Sequence, residues 1–112
     1  IVLMDYQKEN RLWNLCIEQY NNLRMSGFEK WVDDYPCSEE EKKYLIETRE
    51  YLKLMNSTGL TRIDSLQIYS SSRDFKAHTF QLSQARWVPE DIREYLRTKF
   101  EEIDFNIFHQ RF

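Results

Sequence analysis

Apolar side chains recur at helical spacing along the first part of the chain. Leu12, Cys16, Tyr20 and Leu23 fall three or four residues apart, and Trp13 and Ile17 widen the stripe. That spacing makes one broad buried face of an amphipathic helix, predicted over 6–25. Asp5 supplies a carboxylate to cap its first amides. Ser26-Gly27 end it, because glycine takes the left-handed conformation without steric cost. Phe28, Trp31, Val32 and Tyr35 then predict one or two helical turns over 28–36 that dock aromatic rings on the core. Pro36 stops them, since the residue before a proline is pushed out of helical geometry.

A third helix is predicted over 38–55. Ser38 is placed to cap it and Glu41 sits at the capping-box position. Glu39, Glu40 and Glu41 also suit the positive end of the helix dipole. Tyr44, Leu45, Thr48, Leu52 and Met55 form its apolar face, with Tyr51 beside them, and Asn56-Ser57-Thr58-Gly59 close it.

The pattern changes after Leu60. Leu66 and Ile68 alternate with Gln67 and Tyr69, and Phe80 and Leu82 alternate with Thr79 and Gln81. Period two with β-branched and aromatic residues reads as strands, and Ser70-Ser71-Ser72-Arg73-Asp74 has the composition of a turn. A hairpin with strands over 63–70 and 75–82 is the expectation. Thr61 and Asp64 also have the spacing of a helix start, which leaves a short helix open for the first half. Pro89, Glu90 and Asp91 begin the last helix. Its stripe of Ile92, Leu96, Phe100, Ile103 and Ile107 predicts about 20 residues, roughly 30 Å.

The expected fold class is therefore α+β. A mostly helical small domain packs three main helices with one antiparallel hairpin between the second and third. With 112 residues, no linker and no repeat, the chain reads as one globular domain over 1–112. It begins at Ile1 without the basic start and cleavage site of a signal peptide, so an excised part of a longer chain is expected. The chain has no apolar run long enough to span a membrane. Two cysteines exclude a disulfide-dense scaffold and suit reduced thiols in an intracellular protein, cytoplasmic or nuclear.

Candidate chemistry is sparse. Cys16, Cys37, His78 and His109 have none of the short spacings of a zinc site, and no cofactor or metal is expected. Asp33-Asp34 are adjacent and diverge on a helix. Asp64, Asp74 and Lys76 resemble nuclease chemistry only if a hairpin converges them on one phosphate. Gly27 and Gly59 stand alone, so there is no phosphate-cradling loop. Cys37, just before a helix N-terminus, is the most plausible reactive side chain, with His78 or His109 as its base.

Charge directs attention to partners. The formal net charge is -3, and the residues from Glu29 to Glu47 include seven acids against three lysines, a stretch suited to a basic partner. Arg73 and Lys76 in the hairpin, with Arg93 and Arg97 one turn apart on the last helix, form a candidate contact surface beside Trp87 in the preceding connection. Phe105, Phe108 and Phe112 extend around the last helix and suit docking on a sister chain. The expected function is non-catalytic protein–protein interaction or regulation, with another protein or a second copy as partner. The alternative is a small nucleic-acid-binding module using the same basic residues, which would show steep salt dependence.

Overall fold

The computed structural model describes residues 6–60, 66, 69 and 71–102. They form four helices, α1 (Tyr6–Asp34), α2 (Glu39–Thr58), α3 (Ser72–Gln84) and α4 (Glu90–Glu102). No described residue lies in a strand. The expected α+β class is thus overturned, because the second predicted strand, 75–82, lies wholly inside α3. In the first, Leu66 is in a 3₁₀ turn and Tyr69 N–H donates to its carbonyl at 3.2 Å. The other residues of 63–70 lie outside the described residues.

The physical reason is visible in α3. Its buried positions are Ser72, Phe75, Lys76, Thr79, Leu82 and Ser83, a helical face on which three small polar residues sit. Thr79 Oγ1 donates to the Phe75 carbonyl at 2.9 Å and Ser83 Oγ to the Phe80 carbonyl at 2.5 Å. Each of these two hydroxyls is satisfied by its own helix, so it is buried without an outside partner. Phe80 and Gln81, which the alternating reading paired with opposite faces, are only half-buried and exposed. Asp74, expected in a turn, instead lies in the first turn of the helix.

The chain divides into two compact units, Ile1–Ser72 and Arg73–Phe112. In the first, α1 is not straight. Arg24 has φ 64° and ψ -175°, a conformation reached almost only by glycine and costing about 1–3 kcal/mol. Left-handed φ was expected at Gly27 and occurs at Arg24, three residues earlier. Gly27 serves the corner differently. A Cβ there would meet Leu23 Cβ at 2.9 Å, so only glycine fits.

The corner folds α1 back on itself. Tyr20 and Phe28 meet edge-on with ring centroids 5.6 Å apart, whereas residues eight apart on a straight helix are about 12 Å apart along its axis. Both ends of α1 reach the first turns of α2. Tyr44 OH donates to the Glu9 carbonyl at 3.1 Å, and Lys42 Nζ donates to the Val32 carbonyl at 2.5 Å. In a straight helix Glu9 and Val32 would stand about 35 Å apart. Packing offsets the strain, since Phe28 and Val32 in the second arm are fully buried and each contributes about 1.5–3 kcal/mol. Phe28 stacks on Trp31, and Trp31 packs against Tyr35, as the spacing of these aromatics predicts.

The α1–α2 connection is fixed at both sides. Lys42 Nζ also donates to the carbonyls of Asp33 (3.1 Å) and Tyr35 (2.8 Å), so one ammonium closes the end of α1. A cation suits that end of the dipole. Ser38 caps α2 as predicted. Its hydroxyl accepts from Glu41 N–H at 3.2 Å, and Ser38 N–H donates to the Glu41 carboxylate at 3.5 Å. The Ser38 hydroxyl, which also donates to that carboxylate, holds the Glu41 pKa below its ordinary value. Gly59 ends α2 in the left-handed conformation, φ 70°, with its N–H on the Met55 carbonyl. Arg49 pairs with Asp33 at 2.7 Å and Lys53 with Glu29 at 3.2 Å, tying the second arm of α1 to α2.

Replacing Lys42 by Met keeps the aliphatic stem and removes the cap from three carbonyls. Lys42→Met should lower stability by about 2 kcal/mol, read as a lower urea midpoint at unchanged slope; an unmoved midpoint would show that water caps α1 equally well.

Candidate interaction surface

All five residues expected at a contact surface belong to the second unit, and they do not share one environment. Trp87 is 73% exposed, the most exposed large apolar side chain among the described residues. It stands in the connection between α3 and α4, whose backbone is held by Ala85 N–H on the Leu82 carbonyl and Val88 N–H on the Ala85 carbonyl, both at 3.3 Å. Val88 beside it is 1% exposed. The turn is thus anchored by Val88 and presents the neighbouring indole outward. Pro89 follows, and its carbonyl accepts from Arg93 N–H at 3.0 Å in the first turn of α4. Arg86, Glu90 and Asp91 are exposed around it. Tyr95, the other exposed aromatic among the described residues of this unit, has the Lys99 ammonium over its ring at 5.8 Å.

Arg93 and Arg97 lie on α4 as predicted, but with carboxylates beside them. Arg93 pairs with Glu90, and Arg97 with Glu94 and, at 3.3 Å, with Glu90. Arg97 also donates to the Ser83 carbonyl at the end of α3, at 3.3 Å. Glu94, through its hydrogen bond and charge, and then Glu90 raise the Arg97 pKa above its ordinary value. Two guanidinium groups and two carboxylates leave this cluster without net charge. Arg73 is half-buried, and Lys76, at 6% exposure, is buried. Neither is among the exposed residues.

The acidic stretch is likewise partly used inside the first unit. Glu29 and Asp33 pair with Lys53 and Arg49, and Glu41 lies 3.9 Å from Lys8. Asp34, Glu39 and Glu40 remain exposed.

A cleft lies along the polar side of α1. Trp13, Asn14, Ile17, Glu18, Asn21 and Asn22 of α1, with Leu66 and Tyr69, line an open cleft of about 400 Å³. Trp13 Nε1 donates to the Tyr69 carbonyl at 3.2 Å across it. The only sequence signal was the run of amides and a carboxylate along the polar side of α1, which composition alone assigns to solvent.

Among the described residues no group of three or more His, Cys, Asp or Glu is placed to hold a metal ion. Both cysteines are free thiols. Cys16 is buried, and desolvation pushes its pKa up to about 12. Cys37 is half-buried, with Sγ 3.7 Å from the Tyr35 carbonyl. Burial favours the neutral form of His78, lowering its pKa; His109, like Phe105, Phe108 and Phe112, lies outside the described residues. No helix among the described residues is long and apolar enough to cross a membrane. Comparison with known proteins finds no matching family model, no matching curated protein and no matching solved structure.

The thiolate is the nucleophile in alkylation, so the two cysteines should separate cleanly. Native protein treated with a maleimide near neutral pH should carry one adduct, on Cys37, and two in urea, as read by peptide mass spectrometry. Labelling of Cys16 without denaturant would contradict its burial.

Proposed function

We propose that this chain is a non-catalytic helical domain that binds another protein, with Trp87 at the centre of the contact. The exposure of that indole on a pinned turn carries the reading. An aromatic ring of this size covers about 150–250 Å², and burying most of it is worth roughly 4 kcal/mol before the costs of association. Tryptophan has few rotatable bonds, so fixing it in a pocket loses little entropy, and it is enriched at the energetic centres of interfaces. Arg86, Glu90 and Asp91 supply a polar rim of both signs. Arg93 and Arg97, held by Glu90 and Glu94, act at that rim on encounter rate more than on affinity.

The partner class follows from the same chemistry. A mixed-charge rim around one apolar centre suits a protein surface with an apolar pocket. A nucleic acid would need unpaired cations where the structure has ion pairs. Protein binding through Trp87 would show weak salt dependence, in contrast with the steep loss that phosphate contacts impose.

A photo-crosslinking amino acid in place of Trp87, compared with one at exposed Ile46, tests this in extract from the native source. Position 87 should give a discrete adduct that is protease-sensitive, competed by wild-type chain and not by Trp87→Ala. Equal labelling from both positions, or an adduct removed by nuclease, would overturn the reading.

A further inference from the structure

The corner of α1 joins two segments that carry no breaker between them except one glycine. Leu23, Arg24 and Met25 are good helix formers, yet Arg24 is held in a glycine-like conformation. Local preference therefore favours a straight α1, and contacts made by the first arm, before Leu23, keep the chain folded back. Those contacts run to parts of the molecule beyond the corner. Tyr20 meets Phe28, Glu9 receives the Tyr44 hydroxyl, Lys8 lies 3.9 Å from Glu41, and the Trp13 indole bonds the Tyr69 carbonyl.

Every one of these contacts can be made equally well by the same residues of a second copy. We propose that the Arg24–Gly27 corner is an exchange hinge. When it opens into one continuous helix, the first arm of α1 leaves its own chain and takes the same seat on a second copy, which returns its arm in exchange. The closed dimer repeats each contact of the single chain, the general economy of swapped dimers. It also relieves the Arg24 backbone. The occupant of the vacated face is thus the chain itself, because the face is shaped for Trp13, Cys16, Ile17 and Tyr20, all buried there. The exchange involves no residue of the Trp87 turn.

Two substitutions push the hinge in opposite directions. Gly27→Ala adds a Cβ that the corner cannot accept without moving Leu23 Cβ and that a straight helix favours. It should shift the monomer–dimer equilibrium toward dimer by about tenfold or more, since both copies gain. Arg24→Gly eases the corner and weakens the straight helix, and should shift it about tenfold the other way. Sedimentation of the full chain reads both shifts. The exchange itself is read by refolding unlabelled and heavy-isotope chains together and coupling amine to carboxylate with a zero-length carbodiimide. Lys8–Glu41 links joining one unlabelled and one heavy peptide are the expected result. A folded Gly27→Ala chain that stays monomeric, or dimers whose Lys8–Glu41 links all lie within one copy, would overturn the proposal. If Gly27→Ala does not fold, the wild-type chain decides. Mixed links must grow with concentration and fall in Arg24→Gly, and links confined to one copy at every concentration overturn the exchange.

Discussion

At the corner of α1 the backbone of Gly27 comes so close to Leu23 that any Cβ there would lie 2.9 Å from Leu23 Cβ. The rest of the N-terminal unit depends on that approach. Because the side chain is missing, the helix can reverse within a few residues. The reversal brings Phe28 onto Tyr20 and presents Glu9 and Val32 to the same turns of α2. The strain at Arg24 is the local cost, about 1–3 kcal/mol. Burial of Phe28 and Val32 exceeds it.

The charged residues follow from the same geometry. Folding α1 back leaves the carbonyls at its end facing α2, and the Lys42 ammonium meets three of them. Arg49 and Lys53 then meet Asp33 and Glu29. Much of a stretch that reads as an acidic lure for a partner is in this way committed to holding two helices together. Exposed ion pairs of this kind are worth little singly, so their effect is on register more than on stability. On α4 Glu90 and Glu94 pair with Arg93 and Arg97. Trp87 is the most exposed large apolar side chain among the described residues.

Much of the helical content was legible in the residues. The Ser38–Glu41 capping box, the Gly59 stop and the Phe28–Tyr35 aromatics are local signals, and each acts locally in the structure. The false hairpin has an equally specific cause. Thr79 and Ser83 lie on the buried face of α3 with their hydroxyls bonded to their own helix, so the polar letters that broke the helical period do not mark solvent. Gly27 reads as a stop, although its use is close approach and the positive φ falls on Arg24. A glycine in a helix signals that something changes without saying whether the reason is conformation or space. Of the proposed surface, Trp87 was visible because it precedes a helix start. The burial of Lys76 depends on packing that single-residue patterns do not encode, whereas the pairing of Arg93 with Glu90 and of Arg97 with Glu94 is local, three residues apart on one helix.

The folded-back corner is tested most directly by proton contacts between the Tyr20 and Phe28 rings, measured by NMR on dilute, selectively labelled chain. Centroids 5.6 Å apart require strong ring-to-ring cross-peaks, together with a non-helical carbon shift at Arg24. Absence of those cross-peaks, with helical shifts running unbroken from Leu23 to Gly27, would mean that α1 is straight in the single chain and that the account of this unit is wrong.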